Sequence, residues 1–184
     1  MVTVEESFVS SPRARVGQAV NYAASLNPRP KGPGNWRQVA LLYWHYAPQF
    51  GMDLLLPWAQ MLHETGARAY GGAVDPSANN YAGIGATGGP NGGLTFRTPQ
   101  YGVLGHLVHL ATYIFPAPVN RYCTKRFDPR IGFWDGAPLL RHLVRTQPEM
   151  YMGRMLPERR WANPGDGYCA ALALAATNIQ NTSG

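Results

Sequence analysis

The sequence predicts a single, mainly helical domain with one irregular lobe. Apolar residues make up 45% of the 184 residues and charged residues only 14%, which is typical of a chain that buries a core. Several apolar runs repeat at helical spacing, and segments rich in glycine and proline separate them. Residues 1–12 are predicted to form an N-terminal arm, and residues 13–184 to form the domain itself.

The elements follow from periodicity and from the residues that start and stop helices. Helices are expected at residues 12–25, 36–50, 56–64, 99–113, 137–146 and 168–179. Asp53 is expected to cap the third helix, although Pro57 conflicts with a helix that begins so early. Gly66 is expected to end that helix. The glycine-rich segment 67–98 is too long for an idle connector, so it predicts a functional loop lobe or a short hairpin.

The net charge, the length of the apolar runs and the N-terminal segment limit the partners and locations that we expect for the protein. A net charge of +6 favours an anionic partner, but no long run of Lys or Arg indicates nucleic acid. No apolar run is long enough to cross a membrane, so membrane insertion is not expected. The start, MVTVEESFVSSPRARVG, lacks the features of a signal peptide. We therefore expect a protein that stays in the cell of synthesis, is delivered by another machine, or has had a leader removed.

Glu64 is the most informative of the ten acidic residues. It ends the apolar run LLLPWAQMLHE and stands beside the glycine-rich segment. Apolar surroundings raise the pKa of a carboxyl group, and a general acid that works near neutral pH needs such a pKa. The alternative is a helix-terminal glutamate that pairs with Arg68 four residues later.

Metal and disulfide chemistry have weak support in the sequence. His106 and His109 stand at a spacing compatible with zinc, but no HExxH motif or cysteine cluster completes a site, and a polar helix face is the alternative. We predict no metal and no cofactor. Cys123 and Cys169 are far apart in the chain, and the sequence leaves open whether they form a disulfide.

Four segments, taken together, resemble the bacterial glucosaminidases of glycoside hydrolase family 73, which have a lysozyme-like fold and cut peptidoglycan. In order, they read AQMLHETG, NNYAGIG, LTFRTPQYGVLGHLVHLATY and RRWANPGDGYCAALALAATNI. The resemblance covers roughly residues 36–180. It implies a lysozyme-like helical domain with a small irregular or β lobe after the catalytic helix.

The resemblance also implies the site. Glu64 is the expected general acid, and Asp75 is a candidate base, although Asp-Pro is also a common turn. The substrate-binding candidates have structural alternatives too, because asparagines and glycines form turns and aromatic residues pack in cores. These candidates are Asn79, Asn80, Tyr81, Gly83, Tyr101 and Tyr168.

The predicted function is that of a peptidoglycan hydrolase that cleaves β-1,4 glycosidic bonds in the bacterial cell wall, with endo-β-N-acetylglucosaminidase as the expected activity. The partners are glycan strands, and the missing leader suits a phage endolysin or a virion-delivered enzyme as well as a trimmed secreted one. Two alternatives remain open. One is a glycan-binding or structural module of a virion or secretion machine on the same fold, and the other is a lytic transglycosylase.

Overall fold

The computed structural model describes residues 1–2, 13–86, 92–114, 127–128, 133–134 and 167–184. Within these ranges the protein is mainly helical, which confirms the predicted class; the lysozyme-like fold itself stays a prediction. The helices are α1 (Val16–Leu26), α2 (Trp36–Tyr46), α3 (Leu55–Glu64), α4 (Pro99–Ile114) and α5 (Tyr168–Asn181). Two short antiparallel strands, β1 (Phe127–Asp128) and β2 (Phe133–Trp134), pair Phe127 with Trp134. The helix predicted at 137–146, most of the arm and Cys123 lie outside the described residues.

Helix α2 is shorter than predicted because of a proline. Asn35 caps its start by accepting a hydrogen bond from the Gln38 amide at 2.9 Å, and the Gln38 side chain accepts one from the Asn35 amide. Pro48 has no N–H to continue the α-helical ladder, so the chain tightens into a 3-10 helix, Ala47–Phe50. Gly51 then turns the chain with a φ of 71°.

The N-cap position of helix α3 is Leu54, one residue after the predicted cap Asp53, but the Asp53 side chain still binds the first amides of the helix. The Asp53 carboxylate accepts hydrogen bonds from the amides of Leu55 and Leu56 at 2.9 and 3.4 Å. Pro57 is the third residue of the helix, where an N–H has no partner inside the helix, so the proline causes no conflict. Gly66 has a φ of 54° just beyond the end of α3, as a C-terminal glycine should.

Helix α3 is the centre of the molecule. Its residues from Leu55 to Leu62 are all buried, and it packs against α1, α2 and α5. Trp58 contacts Trp36 and Tyr43 edge-on, with ring centroids 5.8 and 5.7 Å apart. A helix with eight buried residues in succession is held in position by its neighbours, so the end of α3 is a fixed place for a functional group.

The described residues of the segment 67–98, which are 67–86 and 92–98, form an irregular lobe, as predicted. In its described part it contains a 3-10 helix, Pro76–Ala78, and a single antiparallel bridge between Ala86 and Gly92. Helix α4 lies against this lobe. Among the helices of the described ranges, none combines the length and the apolar character needed to cross a bilayer.

Candidate functional site

Glu64 and Tyr168 form the centre of the candidate site. Glu64 is the last residue of α3, and Tyr168 is the first residue of α5. The Tyr168 hydroxyl donates a hydrogen bond of 2.5 Å to Oε1 of Glu64, a length typical of a hydroxyl bound to a carboxylate. Tyr168 is buried, whereas Glu64 is half-buried. The structure therefore joins two residues that the sequence places 104 positions apart.

A chain of buried polar groups continues from Tyr168 into the core. The amide Nε2 of Gln60 donates to the Tyr168 hydroxyl at 3.1 Å, and the Gln60 Oε1 contacts Nε2 of His106 at 3.0 Å. On the far side of the ring, Nδ1 of His106 lies 2.6 Å from the hydroxyl of Tyr43. Gln60, His106 and Tyr43 are each fully buried. We call Tyr43, His106, Gln60 and Tyr168 the polar chain.

The charge state of His106 determines the direction in which the hydrogen bonds of the polar chain are donated. Burial, and to a smaller extent the nearby His109, lower the pKa of His106 to about 3, so the ring is neutral near neutral pH. A neutral imidazole has one donor and one acceptor nitrogen. Since Nε2 faces the carbonyl oxygen of Gln60, Nε2 carries the proton and Nδ1 accepts from Tyr43. Every hydrogen bond of the polar chain then points towards Glu64.

His63 completes the surroundings of Tyr168. Its ring contacts the Tyr168 ring edge-on, with centroids 4.9 Å apart. His63 itself is exposed, and its ring covers one side of the buried Tyr168 ring. His63 therefore contacts the hydrogen-bond partner of Glu64.

Arg68 does not serve as the partner of Glu64 that helical spacing offered. It lies beyond the helix end, with a left-handed φ of 57°. Its two terminal nitrogens donate at 2.8 Å to the carbonyls of Gly34 and Pro33, and its guanidinium lies 5.3 Å from the Trp36 ring centre. Arg68 is fully buried and ties the loop before α2 to the stretch that follows Glu64.

The asparagine pair organises the lobe that adjoins the site. The Asn80 side chain accepts from the amide of Ile84 at 2.9 Å and donates to the carbonyls of Ile84 and Leu94, each at 3.0 Å. Asn79 has a left-handed φ of 53° and donates to the carbonyl of Phe96 at 2.9 Å. In the described residues both side chains thus bind backbone, which is the structural role left open by the sequence; contact with a sugar stays a prediction.

The remaining substrate-binding candidates differ in exposure. Tyr81 is buried, and its hydroxyl has no hydrogen-bond partner among the described residues. Burial raises the pKa of Tyr81, against the opposing effect of the Arg68 charge. Gly83 has a φ of 62°, which a residue with a side chain rarely adopts, and Tyr101 is half-buried on α4. Stacking of a sugar on these aromatic rings stays a prediction.

Asp75 is exposed and caps the 3-10 helix of the lobe. Its Oδ1 accepts hydrogen bonds from the hydroxyl and the amide of Ser77, at 2.5 and 2.7 Å. These two bonds, the hydroxyl first, lower the pKa of Asp75. The carboxyl group is therefore ionised near neutral pH, as a general base must be, but its observed contacts are those of a cap.

An open apolar groove of about 310 Å³ lies next to the end of α3. It runs between the C-terminal end of α1, the outer side of α3 and α5. Its lining consists of Leu26, Ala59, Leu62, His63, Gly66, Ala67, Ala171 and Ala175. Through His63 this groove adjoins Tyr168 and hence the candidate site.

Sequence reasoning missed most of the polar chain. Gln60 stands four residues before Glu64, and it is the only amide side chain in the run from Leu54 to Leu62. A polar residue within such an apolar run needs a hydrogen-bond partner, so the sequence pattern itself indicates that Gln60 takes part in a polar contact. The polar helix face that was the alternative to a zinc site does not describe His106, whose side chain is fully buried, whereas His109 is half-buried. Within the described residues no group of His, Cys, Asp and Glu has the arrangement of a metal site.

Fold and site together define a mainly helical domain with a glutamate at the end of its central helix. No known protein family matches the chain by its sequence profile, and no solved structure matches it. The chain is 31% identical over 123 residues to a protein of Borreliella burgdorferi described as uncharacterized. The match covers 67% of this chain and 58% of that protein, so the chain spans less than two thirds of its relative.

Proposed function

We propose that the protein is a glycoside hydrolase that cleaves β-1,4 bonds of peptidoglycan, with Glu64 as the general acid. The observation that carries the proposal is the anchored carboxyl group of Glu64, half-buried at the end of a rigid core helix. A general acid must be held in a fixed place while part of it stays accessible to the substrate. The ordered motifs of the sequence, from AQMLHETG to the final helix, add the family resemblance.

The chemistry follows from a single proton donor. Glu64 protonates the glycosidic oxygen as the bond to the anomeric carbon breaks, and the leaving sugar keeps that proton as a new hydroxyl group. The oxocarbenium-like centre is captured by water or by the substrate's own acetamido oxygen. Water is the final nucleophile on either route, and the proton it loses as the new bond forms offsets the proton that Glu64 gave to the leaving sugar. Bulk solvent can take that proton and return one to Glu64; Asp75, exposed and ionised, stays the candidate base from the family resemblance, although its contacts are those of a cap.

The overall charge supports an anionic polymer as the substrate. A net charge of +6 attracts the cell wall, whose peptide stems and associated polymers carry negative charge. The attraction acts over about 10 Å at an ionic strength of 0.1 M, so it retains the enzyme on the wall without specifying the bond that is cut.

The replacement Glu64→Gln tests the proposal. Glutamine keeps the shape and can still accept the Tyr168 hydrogen bond, but it has no acid proton to give. We expect the release of reducing ends from purified peptidoglycan to fall by about 10² to 10⁴. The thermal unfolding temperature of the variant should stay close to that of the wild type, which separates lost chemistry from lost folding.

Mass spectrometry of the digest distinguishes the possible outcomes. Reducing N-acetylglucosamine ends support the proposed glucosaminidase, whereas 1,6-anhydro ends identify a lytic transglycosylase. Binding to peptidoglycan without any product identifies a non-catalytic module. Wild-type activity in Glu64→Gln removes Glu64 from the mechanism.

A further inference from the structure

We propose that the polar chain is a positioning device, in which Tyr43, His106 and Gln60 fix the direction of the Tyr168 hydroxyl so that it anchors Oε1 of Glu64. The proposal rests on the proposed function for its catalytic consequence, but the chain itself is a separate structural claim. Tyr43, His106 and Gln60 do not act on the substrate in this proposal; they act through Tyr168.

The first step of the argument is continuity. Four contacts join Tyr43 on α2 to Glu64 on α3: 2.6 Å at Nδ1 of His106, 3.0 Å at Oε1 of Gln60, 3.1 Å at the Tyr168 hydroxyl and 2.5 Å at Oε1 of Glu64. The chain crosses α2, α4, α3 and α5, so four helices of different sequence position contribute to it. A core that needed only packing would fill these positions with apolar side chains.

The second step is direction. A tyrosine hydroxyl can donate only one hydrogen bond. The Tyr168 hydroxyl could donate it either to Glu64 or to the side-chain oxygen of Gln60, if that oxygen faced Tyr168. Because Oε1 of Gln60 is occupied by the His106 Nε2–H, the amide group of Gln60 faces Tyr168 and donates to it. The hydroxyl proton of Tyr168 is thereby directed to Glu64.

The third step is that Tyr43 sets the direction from the far end. With its hydroxyl as the donor to Nδ1 of His106, the proton of the neutral ring is held on Nε2, the nitrogen that faces Oε1 of Gln60. Without the Tyr43 hydroxyl, the His106 ring can carry its proton on Nδ1 and present an unprotonated Nε2 to Gln60. The Gln60 amide can then rotate and offer its carbonyl oxygen to Tyr168, which turns the tyrosine proton away from Glu64.

The test removes the hydroxyl group of Tyr43, which lies at the end of the polar chain farthest from Glu64. In Tyr43→Phe we expect kcat on peptidoglycan fragments to fall about tenfold while KM changes less than twofold, because binding groups are untouched and the acid is mispositioned. Gln60→Met, which keeps the length of the side chain, should cause a similar fall. In the double variant the two effects should not multiply, since either change already breaks the same chain.

Tyr46→Phe is the matched control. It removes a tyrosine hydroxyl from the same helix, one that binds the exposed Gln100 side chain rather than the polar chain. We expect its kcat to equal that of the wild type. A multiplicative fall in the double variant, or an equal fall in Tyr46→Phe, overturns the proposal.

A spectroscopic measurement separates this proposal from the proposed function. Proton–nitrogen NMR of the histidine rings should show the His106 proton on Nε2 in the wild type, and a change of tautomer or of the Nε2–H signal in Tyr43→Phe. If the wild type releases no sugar ends, the proposed function fails while the tautomer still tests the chain. If Glu64→Gln abolishes activity but Tyr43→Phe alters neither kcat nor the His106 signal, the chain fails alone.

Discussion

At the scale of single residues, the end of α3 shows why a carboxyl group can be found from sequence while its surroundings cannot. The sequence pattern identifies Glu64 because a charged residue at the end of an apolar helix needs a partner or a function. Its partner Tyr168 follows from the sequence only through the resemblance of the last helix. Gln60 and His106 are ordinary residue types, and the contact between them depends on how α3 and α4 are placed. Local patterns do not contain that information.

Asp75 is a second case in which residue type leaves two roles open. Its two contacts with Ser77 are those of a helix cap, and they also keep the carboxylate ionised. Nothing in its observed contacts requires chemistry. The geometry therefore favours the structural role over the catalytic one.

Asp75→Asn separates the two roles. Asparagine caps about as well as aspartate, so the lobe should keep its structure, while the negative charge is lost. We expect kcat to stay within about threefold of the wild type, because capping explains the contacts that are seen. A fall of about 10² or more, with an unchanged unfolding temperature, would instead make Asp75 the base and should be sought in the same reducing-end assay.

At the scale of elements, four of the five described helix starts were predicted to within one residue, whereas the first helix was expected from residue 12 and begins at Val16. The Asp53 carboxylate binds the first amides of α3 although the N-cap position is Leu54, and the conflict with Pro57 disappears because the amides of the first helical turn have no acceptors within the helix. By contrast, α2 was predicted to reach Phe50 and ends at Tyr46. The apolar pattern continues through the 3-10 turn, so periodicity alone does not reveal that Pro48 changes the type of helix.

Packing between α4 and the lobe depends on two glycines that the sequence did not single out. A side-chain carbon at Gly102 would lie 2.0 Å from the carbonyl oxygen of Asn79, and one at Gly105 would lie 2.4 Å from the ring of Phe96. Real atoms do not approach so closely, so α4 can reach the lobe only where side chains are missing. The position of the asparagine pair is therefore set partly by α4.

Gly102→Ala should disturb that contact. The new methyl group must push either α4 or the Asn79 backbone aside, and we expect a loss of about 1–3 kcal/mol in the free energy of unfolding. Gly72→Ala is the matched control, because a side-chain carbon at Gly72 meets nothing within 4 Å. Urea denaturation of both variants measures the difference. Equal stability of the two variants would show that α4 and the lobe are not in tight contact.

At the scale of the whole molecule, a mainly helical class was predictable and a polar connection through its core was not. The class follows from apolar residues at helical spacing, which any single helix displays by itself. The polar chain joins α2, α4, α3 and α5, and it exists only once these helices are assembled. Its energetic consequence belongs to the whole fold as well, because protonating one buried ring affects the stability of the entire domain.

The pKa of His106 predicts how that stability depends on pH. The unfolded chain takes up a proton on this ring near pH 6.5, whereas burial keeps the folded ring neutral down to about pH 3. A lowered pKa means that the unfolded state binds more protons, so stability is full above pH 6.5 and falls as the pH drops below it. The slope from this group is at most about 1.4 kcal/mol per pH unit.

His106→Gln should flatten this dependence, because glutamine does not titrate. Urea denaturation between about pH 7 and pH 5 measures the slope above the range in which most carboxyl groups titrate. The variant will be less stable overall, so the slopes are compared rather than the absolute values. Burial also lowers the pKa of His109, which leaves a smaller slope of the same sign in the variant. Identical slopes in the two proteins would mean that His106 takes up its proton in the folded state, and the direction assigned to the polar chain would then be wrong.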